Sequence, residues 1–145
     1  MRIRSYDEEI EYDNENGIDS SLINTLFDFI LELQQGAIQL KMNHWLTTEY
    51  AEHKSNDSFV KILHKYADAI AETSMGEFQR PKIEAKHLNV NDISTTSTRW
   101  ALDTIREKTN TIINALKGTD HEGILSIITE FDAEFKKAIY LSTLK

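Results

Sequence analysis

The sequence predicts an all-α protein, four amphipathic helices in up-down-down-up order with a long crossover between the second and the third. Three observations predict it. Apolar residues recur every three or four positions through four separate stretches. Gly76, Gly118 and the only proline, Pro81, punctuate those stretches. A long aperiodic segment, 78–92, separates two pairs whose members are joined by short connections.

The chain opens on an acidic arm, 1–18, in which Arg2 and Arg4 are outweighed by Asp7, Glu8, Glu9, Glu11, Asp13 and Glu15, a local charge of −4 over the first seventeen residues. It reads as solvated chain outside the core. Asp19 or Ser20 is the expected N-cap of the first helix, whose stripe is Leu22, Leu26, Phe29, Leu33, Ala37 and Leu40, widened by Ile23, Phe27 and Ile30 and continuing to His44. The second helix is expected from about His53 or Asn56 to Met75, with Gly76 as C-cap and Phe59, Ile62, Leu63, Tyr66, Ile70 and Thr73 on its apolar side. The crossover has room for one short helical turn at Glu84 to His87. A Ser or Thr among 94–97 caps the third helix, which carries Trp100, Ile105, Ile112, Ile113 and Leu116 and stops at Gly118. The fourth starts near Asp120 with Ile124, Leu125, Ile127, Ile128, Phe131, Phe135, Ile139 and Leu141. Residues 19–145 therefore describe one bundle of ferritin-like topology.

The bulk properties exclude several classes. A chain of 145 residues with no cysteine has no disulfide framework and fits a single domain. The acidic opening lacks a secretory pattern, and no apolar run approaches the roughly 18 residues a membrane span needs. A soluble, cytoplasmic protein is expected. A net charge of −8 disfavours nucleic acid as a partner and favours cations.

The residues that carry chemistry are His44, His53, Asp57, Asp68 and Glu72. Two imidazoles and three carboxylates suit iron, manganese or zinc; calcium or magnesium would dispense with the histidines, and structural zinc would usually recruit cysteine. At about 100° per residue, His53, Asp57, His64 and Asp68 fall within about 40° of one direction, with Glu72 close by. They point away from the helix's own apolar side. A solvated helix face looks the same. Two details favour the metal: Asp68 and Glu72 are like charges at i, i+4, repulsive unless a cation lies between them, and three of the five histidines lie between residues 44 and 64.

The run NHWLTTEYAEHKSNDSFVKILHKYADAIAE resembles the ferroxidase signature of the mini-ferritins, the DNA-binding proteins from starved cells (Dps). There a His-Trp pair on the first helix precedes a second His, an Asp four residues later, and an Asp-x-x-x-Glu on the same second helix. The matching positions are His44 with Trp45, His53, Asp57, then Asp68 and Glu72. The steps of four, eleven and four residues after His53 are those of the family. The step from His44 to His53 is nine where the family usually has twelve, so the turn between the helices is shorter. The TTEYAEHK stretch is also similar to uncharacterised, phage-encoded ferritin-like proteins.

The resemblance implies an iron-binding ferroxidase, an oxidoreductase whose sites lie between two-fold-related subunits. His44, His53 and Asp57 of one subunit would face Asp68 and Glu72 of another and bind one or two ferrous ions for oxidation by dioxygen or peroxide. A homo-oligomer follows, a dimer at the metal site and a dodecamer as a hollow shell for iron storage or detoxification. Trp45 would lie near the metal or pack as an interfacial aromatic. His64 stands on the right face but outside the pattern, as an auxiliary ligand or a bystander. His87 and His121 read as loop and helix-start residues, and the Glu-x-x-His from Glu84 to His87 as incidental. DNA binding is doubtful, because the arm is acidic where DNA-binding members are rich in Lys. The competing function is a non-catalytic ferritin-like structural protein, virion-associated if the chain is phage-encoded.

Overall fold

The computed structural model describes residues 17–145. The expected arm, 1–18, lies outside the described residues except for its last two, which already belong to the first helix. Four helices and no strand occur among the described residues: α1 (Gly17–Leu46), α2 (Tyr50–Glu77), α3 (Thr98–Leu116) and α4 (Glu122–Ser142). They pack as an all-α bundle in which α1 and α4 each touch both α2 and α3.

The apolar stripe of α1 forms one wall of the core. Leu26, Leu33 and Leu40 are fully buried, with Ile23, Phe29, Ile30 and Ala37 beside them, and each large side chain so buried contributes about 1.5–3 kcal/mol. Beyond Leu40 the inward position falls on Asn43, three residues on, and His44 is turned partly outward. At Gly36 a Cβ would lie 2.6 Å from Ile105 Cδ1, so a glycine lets α1 and α3 approach here.

The turn from α1 to α2 is only Thr47–Glu49, and α2 begins at Tyr50, earlier than the expected His53 or Asn56. Local hydrogen bonding explains the early start. Thr47 Oγ1 accepts the Glu49 N–H at 3.1 Å, and Glu52 places a carboxylate in the first turn, where the helix dipole favours it. At its other end α2 runs through Gly76 to Glu77 and stops at Phe78, whose N–H reaches Ser74 O. Gly76 is no cap because it keeps a helical conformation; Gly118 (φ 76°) takes the left-handed one that terminates α3, as expected.

Ser97, within the predicted range 94–97, caps α3, its Oγ accepting the Trp100 N–H at 3.1 Å. Trp100 itself is not in the core. Helical phase turns it about 100° away from Ala101, and Ala101, Leu102, Ile105, Thr109, Ile112 and Leu116 take the inward positions. On α4 the buried residues are Ile124, Ile128, Phe131 and Phe135, while Leu141, expected to pack, is exposed. Phe131 lies against Tyr66 (centroids 5.4 Å) and Phe135 against Phe59 (5.8 Å), which ties α4 to α2.

The connection from α2 to α3 holds no helical turn at Glu84 to His87. At three points its polar groups turn to α1. Lys86 lies 4.0 Å from Asp28, the Asn89 N–H donates to Gln35 Oε1, and the Asn91 backbone is bound at both its N–H and C=O by the Gln39 amide, at 2.9 Å each. A helical turn would have used those donors internally.

Candidate metal centre

His44 lies in the last turn of α1 and His53 in the first turn of α2, so the short hairpin sets them side by side. Their rings stack with centroids 3.8 Å apart and planes 18° from parallel. Each Nδ1 meets the other residue's main-chain carbonyl, His44 Nδ1 to His53 O at 2.5 Å and His53 Nδ1 to His44 O at 2.8 Å. A carbonyl oxygen only accepts, so both Nδ1 atoms carry hydrogen, and in the neutral rings both Nε2 atoms keep a free lone pair. A backbone carbonyl holding Nδ1–H is the usual support of a metal-binding histidine. The same contact also caps α1, because His44 O is one of the carbonyls left over at a helix end.

Asp57 lies one turn beyond His53, and its carboxylate is already engaged. Lys41 Nζ is 3.1 Å from Oδ1 and Lys61 Nζ 3.3 Å from Oδ2. The hydrogen bond from Lys41, then that from Lys61, hold its pKa below the ordinary carboxylate value. Asp68 and Glu72 differ. Both are exposed, and among the described residues neither has a hydrogen-bond or ion-pair partner. His64 is exposed on the same helix.

Distance along α2 separates the expected ligands into two sets. Fifteen residues from His53 to Asp68 amount to about 22 Å of helix, so these two cannot reach one ion within one chain. Among the described residues no three His, Asp or Glu side chains converge into a group able to hold a metal. The structure thus brings His44 and His53 together, leaves Asp57 beside them in an ion-pair triad, and places Asp68 and Glu72 apart.

Polar contacts that helical periodicity does not reveal stiffen this end of the bundle. Asn43, fully buried, accepts from Gln39 Nε2 at 3.0 Å and donates to Thr96 O at 3.0 Å. Thr98 Oγ1 donates to Glu52 Oε1 at 2.6 Å and accepts from Asn56 Nδ2 at 3.2 Å, while Thr47 Oγ1 donates to Glu52 Oε2 at 2.9 Å. The network ties α1, the turn, α2 and the start of α3 around the histidine pair. The signal for it in sequence is Gln39 and Asn43, amides at i, i+4 on a stripe otherwise apolar.

Two further pairs lie elsewhere. Tyr66, buried, donates its hydroxyl to Glu134 at 2.5 Å; burial and then that hydrogen bond raise the phenol's pKa, and the same bond lowers the carboxyl's. His121, at the start of α4 as expected, pairs Nδ1 with Glu77 Oε1 at 2.5 Å beside the Phe78 ring. His87 is exposed in the connection and joins no cluster.

Fold and site together define a class: an all-α helical bundle with paired imidazoles at one end of its α1–α2 hairpin. The chain belongs to a family of unknown function, DUF5856, whose model matches residues 44–141, from the first of those histidines through most of α4. No curated protein and no solved structure matches it. No helix among the described residues is long and apolar enough to cross a membrane.

Proposed function

We propose that this protein is a Dps-like mini-ferritin, a ferroxidase whose iron site is completed only when two copies meet. The observation that carries the reading is the reciprocal hold on His44 and His53, which fixes both tautomers and leaves both Nε2 atoms ready for a divalent ion. Iron is the substrate here, with manganese or zinc as competitors for the same donors.

The ferritin-like up-down-down-up order, with 78–97 as the crossover, is supported by the contacts of the bundle. His44 meets His53 across the first turn, the connection touches α1 at Asp28, Gln35 and Gln39 in succession, Thr98 meets Asn56, and Tyr66 and Phe59 face Phe131 and Phe135. A two-fold axis crossing α2 near Lys61 sets His53 of one copy opposite Asp68 and Glu72 of the other. That pairing relieves the repulsion between those two acids and gives each imidazole a carboxylate partner.

The stack also limits how iron sits. Nearly parallel rings cannot direct in-plane lone pairs to one ion about 2.1 Å from each nitrogen, so each imidazole serves its own ion. Ring centroids 3.8 Å apart match the roughly 3.5–4 Å spacing of two-metal sites. Two ferrous ions then give one electron each, either to dioxygen, which with two protons leaves as hydrogen peroxide, or to peroxide, which with two protons leaves as two waters. Carboxylates favour the ferric product over the ferrous reactant. Asp57 joins the site only by releasing Lys41 or Lys61.

The test adds Fe(II) in air to the protein and to a His53→Ala, Asp68→Ala double substitution. Ferric absorbance should grow with the first and not the second, and light scattering should report an oligomer. A second reading, a non-catalytic structural bundle, is favoured by the saturation of Asp57 by two lysines. A monomer or dimer that leaves Fe(II) unoxidised would favour it.

A further inference from the structure

A cavity of about 180 Å³ between α1, the α2–α3 connection and the start of α3 takes no part in the iron reading. α1 forms its floor with Glu32, Gln35 and Gln39. The connection forms one wall with Asn89 and Asn91, and Trp100 of α3 stands in the other. None of the proposed iron ligands lines it.

Several of its polar groups are fixed before any ligand arrives. The Asn89 N–H donates to Gln35 Oε1 at 3.1 Å, and because a backbone N–H needs an oxygen, the Gln35 amide is oriented with its Nε2 donors left over. Gln39 is saturated. It bonds both the N–H and the C=O of Asn91 at 2.9 Å and so pins the wall to the floor. Asn91 Nδ2 donates to Thr96 Oγ1 at 3.0 Å, which leaves Oδ1 as an acceptor. The Asn89 amide and the Glu32 carboxylate have no partner among the described residues. Groups held in place in this way lose little freedom when a ligand binds.

The chemistry of these groups narrows the ligand. A carboxylate in the floor repels anions. An ammonium or guanidinium would satisfy Glu32 and Asn91 Oδ1 but would meet the Gln35 donors with donors of its own. A hydroxyl both donates and accepts, so a ring that carries several answers every group at once. Trp100, 60 % exposed, offers a flat apolar face for the C–H side of such a ring. A nucleobase would stack there as well, but its polar atoms lie in one plane, whereas a floor and a wall call for groups in two directions. Size sets the last limit: the cavity is smaller than the roughly 300–1,000 Å³ of pockets for drug-sized molecules, which suits one ring. We infer that this cavity binds a single neutral sugar ring, stacked on Trp100 and hydrogen-bonded by Glu32, Gln35, Asn89 and Asn91.

The experiment uses the full chain and follows ligand-detected saturation-transfer NMR together with tryptophan emission. Trp45 and Trp100 are the only tryptophans, so a Trp45→Phe background makes the emission report on Trp100 alone. The probes are methyl α-glucoside, methyl β-galactoside and N-acetylglucosamine, with adenosine and butylamine as the competing chemistries. At least one sugar should bind saturably and shift the emission. Glu32→Gln should weaken that sugar about tenfold, since a charge-assisted bond becomes a neutral one, and Trp100→Ala should weaken it about tenfold or more by NMR. Circular dichroism of both variants should match the parent. Sugars that stay silent up to about 50 mM, or binding of adenosine or butylamine alone, would overturn the proposal. Sugar binding that both substitutions leave unchanged would overturn it too. No metal enters the readout, so this inference and the ferroxidase reading can fail separately.

Discussion

The two ends of α2 handle charge in opposite ways. At the start, His53, Asp57 and Glu52 are each held by specific neighbours: a main-chain carbonyl, two ammonium groups, two threonine hydroxyls. Two to four turns further on from Asp57, His64, Asp68 and Glu72 stand in solvent, and the two acids find no partner among the described residues. The difference teaches that one half of the proposed site is built by the fold of a single chain and the other half is only presented by it. Substitutions should therefore act on stability at the first end and on chemistry alone at the second.

The largest expected effect is on chemistry. Asp68→Ala with Glu72→Ala should lower the rate of Fe(II) oxidation about 100-fold while moving the urea unfolding free energy by no more than about 0.5 kcal/mol, as for other exposed positions. A rate that stays unchanged would break the comparison at its open end.

Next comes the locked end. Asn43→Ala should destabilise the protein by about 2–3 kcal/mol in a urea melt, because the Gln39 amide and the Thr96 carbonyl lose a buried partner. A loss below about 0.5 kcal/mol would mean that the network does not hold the histidine hairpin.

The Tyr66–Glu134 bond between α2 and α4 sharpens the contrast through pH. The Glu134 carboxyl is depressed, so its contribution is present above the ordinary Glu value and lost as pH falls below it. The Tyr66 phenol is raised, so its contribution is present below the ordinary Tyr value and lost as pH rises past it. Stability from this bond should span roughly pH 4.3 to 10. Tyr66→Phe should cost about 1 kcal/mol in that window and flatten both edges in a series of melts.

Much of the fold was legible because it rests on periodicity. Leu26, Leu33, Leu40, Phe59, Leu63, Ile105, Phe131 and Phe135 follow helical spacing and are buried, and Ser97 and Gly118 act as written. Helix ends were less legible, since Gly76 can cap or continue a helix and only the surrounding contacts choose. The connection was legible as an aperiodic crossover, but the lack of a helical turn at Glu84 to His87 was not, because its hydrogen bonds go to Gln35 and Gln39, more than fifty positions away. Within the candidate site, the pairing of His44 with His53 follows from the short turn. The capture of Asp57 by Lys41 does not, because sixteen residues and a reversal of direction separate them.

The smallest effect concerns that capture. Lys61→Ala should strengthen zinc or manganese binding a few-fold by calorimetry, since Asp57 loses one competing cation. Unaltered or weaker binding would place Asp57 outside the metal's reach.

Diffraction at the iron absorption edge from Fe(II)-soaked crystals tests the central claim most directly. The account predicts anomalous density between His44 and His53 of one copy and Asp68 and Glu72 of its two-fold mate. Iron-exposed crystals in which those side chains stay far apart across every contact, with no density near either imidazole, would contradict it.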